Sequence, residues 1–147
     1  MADGMEGIDV VAVTAWFAGR VEDLVTPLDF ELLAGGHSNL TYRVTDGVGR
    51  TYVLRRPPLG HVLQSAHDMG REHKIISALQ GSSVPVATTV DLCTDHSVND
   101  APFYVMDYVA GSVLHDHDAA VDLSEDVRES LGLHVIDVLS ALHKIDP

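Results

Sequence analysis

The chain has 147 residues, of which 46% are hydrophobic, and 9 basic against 22 acidic side chains give a net charge of −13 at pH 7. This composition predicts one folded domain and excludes a solvated, highly charged coil. The acidity disfavours binding to nucleic acid or to an anionic membrane surface, because phosphate groups would be repelled. The single cysteine, Cys93, excludes an internal disulfide framework. The N-terminus is acidic and no apolar run reaches about 20 residues, so we expect a cytoplasmic protein.

The charge is unevenly distributed along the chain. Residues 31–90 hold six basic and four acidic side chains, a net +2, whereas the segments on both sides are strongly acidic. An anionic ligand is therefore best tolerated at this middle segment. A chance local imbalance would give the same pattern.

Apolar spacing and turn residues predict an α+β chain in the order helix, three strands, helix, two strands, connector and long helix. The predicted helices cover 9–21, 65–79 and 124–145, and the predicted strands cover 30–34, 40–45, 51–55, part of 84–93 and 102–106. Two consecutive hairpins make the sheet antiparallel. Asp9 is a plausible helix N-cap, and Ser65 with Asp68 has the capping-box spacing. In the last helix, apolar residues from Val127 to Ile145 predict a single apolar face.

A glycine-containing segment, Gly35-Gly36-His37-Ser38-Asn39, lies between the first two predicted strands. Glycines let the backbone approach a ligand closely, and successive amides can surround phosphate oxygens. An ordinary hairpin turn is the alternative.

Two adjacent arginines end the third predicted strand, where side chains alternate between faces. Val53 and Arg55 share one face and Leu54 and Arg56 the other, so we expect one arginine to point inward or into a cleft, where it needs an anionic partner. Glu72 falls on the apolar face of the following helix and could supply it. The alternative is that Glu72 lies at the rim and pairs with Arg71, Lys74 or solvent.

The histidine-rich connector offers a second candidate site. His115-Asp116-His117-Asp118 has the residue types of a metal cluster, but no partner motif accompanies it, and the sequence favours a solvated acidic loop over a metal site.

Five segments in the right order resemble the aminoglycoside phosphotransferase and choline-kinase-like family, in the subgroup linked to acyl-CoA dehydrogenases. They are 33–42 with the glycine segment, 52–58 with the two arginines, 71–73 with the glutamate, 103–111 and 139–146. The resemblance implies a protein-kinase-like N-lobe with a five-stranded antiparallel sheet and a C-type helix. The expected organisation is an N-terminal helical segment at 1–27, the N-lobe at 28–106, and the hinge, connector and first C-lobe helix at 107–147.

The resemblance also implies an ATP site and assigns a role to each of its residues. The loop would cover the phosphates, a basic residue would contact the α- and β-phosphates and be oriented by a glutamate, and a gatekeeper and two hinge residues would meet the adenine. In that order these residues are Gly36, His37, Ser38 and Asn39, then Arg55 and Glu72, then Met106, Asp107 and Val109.

Two departures from the family pattern affect the expected activity. Arg55 stands where the family has lysine, which keeps the charge and changes the geometry. The catalytic aspartate and the Mg²⁺ ligands are expected beyond Pro147, so the resemblance implies a kinase acting on a small-molecule hydroxyl whose 147 residues alone are inactive. The missing C-lobe or a partner chain is expected to cover the final helix. The alternative is a non-catalytic nucleotide-binding or interaction module.

Overall fold

The computed structural model describes residues 5–34, 39–60, 67–114 and 118–146. Its helices are α1 (Val10–Ala18), α2 (Met69–Leu79), α3 (His96–Asn99) and α4 (Glu125–Leu142), with a 3₁₀ turn at Asp118–Ala120. Its strands are β1 (Asp29–Ala34), β2 (Leu40–Thr45), β3 (Thr51–Arg56), β4 (Thr89–Cys93) and β5 (Phe103–Asp107). The predicted order of elements is confirmed except for the short helix α3, which lies between β4 and β5 where no helix was predicted.

The five strands form one antiparallel sheet in the order β1-β2-β3-β5-β4. The first three strands are joined by hairpins, whereas α2 separates β3 from β4 along the chain. Strand β5 therefore lies between β3 and β4, so the segment that leaves β5 starts from the middle of the sheet. The five-stranded antiparallel sheet predicted from the sequence is confirmed.

The hydrophobic core lies on the face of the sheet that packs against α1. In β2, alternate side chains are buried, as expected for a strand with one covered face. The fully buried core side chains come from α1 and from three strands of the sheet: Val13, Phe17, Tyr42, Val44, Leu54, Phe103 and Val105. This packing leaves the other face of the sheet for α2 and for the candidate site.

The predicted end of α1 and the predicted start of α2 were wrong by several residues. Helix α1 begins after the predicted N-cap Asp9 but ends at Ala18, where Gly19 caps it. Helix α2 begins at Met69, not at residue 65, and the Asp68 carboxylate accepts a hydrogen bond from the Arg71 amide at its first turn. Ser65, the other half of the predicted capping box, lies outside the described residues. Strand β4 lies within the predicted range 84–93 and begins at Thr89, after Pro85, which has no amide hydrogen to donate to a sheet.

A buried carboxylate fixes the hairpin between β2 and β3. Asp46 accepts hydrogen bonds from the amides of Val48 and Arg50 and from the Arg50 Nε. The Arg50 guanidinium also donates to the carbonyl oxygens of Glu22 and Asp23. The Arg50 side chain thus links the turn to the segment that follows α1.

Contacts divide the chain into two compact units, residues 1–78 with 87–108 and residues 79–86 with 109–147. In the second unit, α4 carries apolar side chains on more than one side. Ile136 and Leu139 lie on a different side of the helix from Val127 and Leu131, and all four are exposed. Among the described residues, no helix is both long enough and apolar enough to cross a membrane.

Candidate functional site

The α2 side of the sheet carries the polar side chains that the sequence singled out. Arg55 on β3 pairs directly with Tyr104 on β5, and Val53 pairs with Met106. Residues directly opposite each other in an antiparallel pair point to the same face. These four side chains therefore share the face opposite the α1 core, as the alternation in β3 predicted for Val53 and Arg55.

Arg55 and Glu72 form the ion pair predicted from the sequence. The Arg55 Nε lies 3.5 Å from the Glu72 Oε2, and the two side chains are 31% and 30% exposed. The distance is beyond the usual length of an N–H···O hydrogen bond, and the buried Arg55 Nε has no hydrogen-bond partner. The attraction between the two groups is thus an ion pair without a hydrogen bond.

The Glu72 carboxylate receives its hydrogen bonds from two other side chains. Asn39 donates from Nδ2 to Oε1 over 2.7 Å, and Tyr104 donates its hydroxyl to Oε2 over 3.1 Å. Burial, more than the nearby carboxylate, raises the pKa of Tyr104 well above its usual value, while Arg55 opposes the shift. The hydroxyl therefore stays protonated at neutral pH and remains a donor.

His67 extends this network to a fourth side chain. Its Nδ1 lies 2.7 Å from the Asn39 Oδ1. An amide oxygen only accepts hydrogen bonds, so this contact requires a proton on Nδ1. The opposite orientation of the Asn39 amide would place its oxygen against the Glu72 carboxylate, which is repulsive. Both neighbours thus favour the orientation that donates Nδ2 to Glu72.

The remaining predicted site residues are distributed as follows. Gly36, His37 and Ser38 lie outside the described residues, whereas Asn39 is buried beside Glu72. Met106 is half-buried in β5.

The two residues expected to read the adenine edge belong to different units. The Asp107 amide donates to the Thr88 carbonyl over 2.8 Å, so the Asp107 carbonyl also points away from β3. Val109 belongs to the second unit, and its side chain is exposed. Their contacts with a nucleotide remain predictions.

Sequence reasoning missed Tyr104 and His67 as members of this network. The signal for Tyr104 was present, because it lies two residues before Met106 in one strand and therefore on the same face. No sequence pattern connects His67 to Asn39, which is 28 residues earlier in the chain.

The sequence also did not reveal the environment of Arg56. It points to the α1 side and is only 6% exposed. Its guanidinium donates to the carbonyl oxygens of Gly7 and Pro57. Burial lowers the pKa of Arg56, and the charges of Tyr42 and Asp100 oppose that shift. Both arginines at the end of β3 are thus directed inward, on opposite faces of the sheet, and Arg55 alone lies beside Glu72.

The described residues do not offer a metal site. Within them, no group of three or more His, Cys, Asp or Glu side chains is arranged to hold an ion. Two or more carboxylates with several waters are what Mg²⁺ prefers, and Glu72 has both oxygens committed to protein donors. Residues 115–117 of the histidine-rich connector lie outside the described residues.

Comparison with known proteins decides the family. Residues 29–147 match the family described as "Phosphotransferase enzyme family". The chain belongs to that family. The site lies within the matched region, and the elements β3, β5 and α2 that carry it belong to a kinase-like phosphotransferase fold.

A solved structure agrees with this assignment. The chain superposes with a TM-score of 0.75 and 33% identity on a Ralstonia eutropha JMP134 protein named as an aminoglycoside phosphotransferase, over 94% of this chain and 39% of that one. The kinase-like fold predicted from the motifs is confirmed.

Curated relatives link the phosphotransferase chain to larger proteins. It is 38% identical over 122 residues to mouse acyl-CoA dehydrogenase family member 10, which covers 82% of this chain and 11% of that protein. It is 35% identical over 111 residues to human acyl-CoA dehydrogenase family member 11, covering 76% of this chain and 14% of that protein. The chain thus spans less than a sixth of the length of either relative. The resemblance to the subgroup linked to acyl-CoA dehydrogenases is confirmed.

Proposed function

We propose that this chain is the ATP-binding portion of a phosphotransferase that moves the γ-phosphate of ATP to a hydroxyl group of a small molecule. The observation that carries the proposal is the state of Arg55. It is held 3.5 Å from Glu72 on the α2 face of the sheet, and its Nε–H makes no hydrogen bond with any of the described residues. A buried donor without a partner costs free energy that an anionic ligand can recover.

Arg55 is suited to bind phosphate oxygens. The guanidinium is a planar fork with five N–H donors, and it keeps its charge at any physiological pH. In this role it contacts the α- and β-phosphates, where related phosphotransferases use lysine. The net positive charge of residues 31–90 supports an anion at this place in an otherwise acidic chain.

The adenine is bound at the end of β5 in this proposal. Met106 forms the wall behind the ring, and the Asp107 carbonyl and the Val109 amide meet its edge. The loop residues Gly36 to Asn39 lie over the phosphates. Backbone groups make the edge contacts, so the acidic side chain of Asp107 imposes no penalty on this binding mode.

The acceptor is a hydroxyl compound whose class the chain itself leaves open. The name of the Ralstonia relative suggests an aminoglycoside, whereas the names of the mouse and human relatives suggest a hydroxylated acyl compound. Phosphoryl transfer needs a metal to neutralise charge and a group to orient the nucleophile. We place both in a further part of the phosphotransferase fold, which also covers α4, and we expect the assembled protein to work in the cytoplasm.

ATP titration tests this proposal. We expect saturable binding of ATP by the chain, and affinity at least about tenfold weaker in Arg55→Ala, since that variant loses a charge-assisted contact to phosphate. Arg20→Ala is the matched control, because Arg20 is a half-exposed arginine stacked on Trp16 on the opposite side of the sheet. We expect the control to bind ATP like the unmodified chain.

Two outcomes would contradict the proposal. The first is no saturable ATP binding by the folded chain. The second is equal affinity in the chain and in Arg55→Ala, which would remove Arg55 from the phosphate site. Release of phosphate from ATP by the 147 residues alone would contradict only the expectation that they are inactive.

A further inference from the structure

We propose that Tyr104 and Asn39 are positioning residues for Arg55, acting through Glu72. This inference rests on the proposed function, because it assigns Arg55 the phosphate contact. Related phosphotransferases are described in terms of a basic residue and a glutamate, whereas here two neutral side chains make the hydrogen bonds to that glutamate.

The geometry of Glu72 carries the first step. Each carboxylate oxygen accepts one hydrogen bond from a neutral donor, Asn39 on Oε1 and Tyr104 on Oε2. Hydrogen bonds to an ionised carboxylate are stronger than those between neutral groups. The two donors hold the carboxylate by both of its oxygens, and none of the N–H donors of Arg55 is used.

The position of Arg55 supplies the second step. The Tyr104 hydroxyl holds Oε2 in a position where the Arg55 Nε lies 3.5 Å from the same oxygen and forms no hydrogen bond with it. The pair keeps its electrostatic attraction, which aims the guanidinium, while the N–H donors stay available. If the hydroxyl of Tyr104 were absent, Arg55 would move onto Oε2 and its donors would be consumed inside the protein.

His67 completes the arrangement on the side of Asn39. Its Nδ1–H holds the Asn39 Oδ1 over 2.7 Å, which directs the Nδ2 donor at Glu72. Asn39 is the last residue of the glycine-containing segment. Its side-chain amide therefore links this residue to Glu72 in the first turn of α2.

The test uses Tyr104→Phe, which removes one hydroxyl and keeps the ring that contacts His73. We expect the Kd for ATP and for inorganic tripolyphosphate to rise about three- to tenfold, less than for a direct hydrogen bond to a charged group, because Tyr104 acts on the ligand only through Glu72 and Arg55. The Kd for adenosine should not change, because adenosine has no phosphate for Arg55. Asn39→Ala should shift the two phosphate ligands in the same direction.

Tyr42→Phe is the matched control. Tyr42 is fully buried on the α1 side of the same sheet, and its hydroxyl donates to the Glu6 carbonyl. It loses a comparable hydrogen bond without touching Glu72, so its Kd values for all three ligands should stay at those of the unmodified chain.

A double-mutant cycle separates positioning from general damage. In the Arg55→Ala background, Tyr104→Phe should have no further effect on tripolyphosphate binding, because the residue it acts through is gone. An equal loss in both backgrounds, or a parallel loss of adenosine affinity, would overturn the inference. Wild-type affinity for tripolyphosphate in Tyr104→Phe would also overturn it.

A ligand-free measurement keeps this inference distinct from the proposed function. The Arg55 Nε–H is without a partner in the protein, so its exchange with solvent hydrogen should slow at least about threefold in Tyr104→Phe, where Glu72 accepts it, and stay unchanged in Tyr42→Phe. Unchanged exchange in Tyr104→Phe would refute the positioning role even if the chain binds ATP. Slower exchange in a chain that binds no ATP would support the role and refute only the proposed function.

Discussion

Arg55 and Glu72 face each other across 3.5 Å on the α2 side of the sheet, as an ion pair in which no hydrogen bond is made. In most buried ion pairs the partners also share hydrogen bonds, because charge alone does not compensate for the lost solvation. Here the hydrogen bonds to the glutamate come from Asn39 and Tyr104. The arginine is held in place by attraction and keeps its donors for a ligand.

Removing the charge of Glu72 should weaken the fold. Glu72→Gln keeps the shape of the side chain but leaves Arg55 without a counter-charge, and both groups are about one-third exposed. We expect the free energy of unfolding to fall by about 1 kcal/mol, the upper range for a partly solvated ion pair. Urea unfolding followed by circular dichroism measures the change.

Glu31→Gln provides the control for that experiment. Glu31 pairs with Arg43 at the edge of the sheet, where both side chains are more exposed than Glu72. We expect a change below about 0.5 kcal/mol. An equal fall in the free energy of unfolding in the two variants would show that the Arg55–Glu72 pair stabilises the fold no more than the Arg43–Glu31 pair.

Replacing Arg56 should cost more than replacing an exposed arginine. Arg56→Met fills the same space but leaves the carbonyl oxygens of Gly7 and Pro57 without the donors that now reach them. We expect a loss of about 2 kcal/mol in the free energy of unfolding. Arg43→Met, at an exposed position, should stay within about 0.5 kcal/mol. A smaller loss in Arg56→Met than in Arg43→Met would contradict the structural role assigned to Arg56.

Much of the fold and part of the site could be predicted from the sequence. The sheet was readable because turn residues separate short apolar strands, and alternate burial is clear in β2. The Arg55–Glu72 pair was readable because both residues were placed on apolar faces. The Glu72 hydrogen bonds were not readable, since Asn39 and Tyr104 are brought to it by tertiary packing from distances of about 30 residues. The burial of Arg56 was not predicted, because the alternation of side chains along β3 shows on which face Arg56 lies and not which residues cover that face.

The start of α2 shows the same limit at an element end. The helical pattern was extended back to residue 65, whereas the described residues 67 and 68 are not helical and α2 begins at Met69. In α4, the periodic residues were correctly placed on one face. Further apolar residues between them in sequence, such as Ile136 and Leu139, are exposed on other sides of the helix.

Acid should remove a stabilising contribution from Asp46. Burial acts to raise the pKa of this carboxyl, but hydrogen bonds from Arg50 and Val48 and the Arg50 charge hold it below the usual 3.8. A depressed folded-state pKa stabilises the protein above the unfolded value, and this contribution is lost as the pH falls below about 4. We expect the urea midpoint to fall less between pH 5 and pH 3 in Asp46→Asn than in the unmodified chain. Parallel curves would contradict this assignment.

The exposed apolar faces of α4 should make the isolated chain self-associate. Val135 and Ile136 are 67% and 62% exposed, and they point to different sides of the helix. Exposed apolar surface of this extent favours association with any available partner. Light scattering after size exclusion should show oligomers that diminish in the double variant Val135→Lys, Ile136→Glu. A monodisperse monomer at high concentration would contradict this expectation.

The most direct test of the central claim is a nuclear magnetic resonance titration of the labelled chain with ATP. We expect the Arg55 Nε–H signal and the amide signals of Met106, Asp107 and Val109 to shift together and to saturate with one Kd. The Trp16 indole signal, from the α1 side, should not move. Shifts confined to the α1 side, or no saturable shift at Arg55, would contradict the claim that this face of the sheet binds the nucleotide.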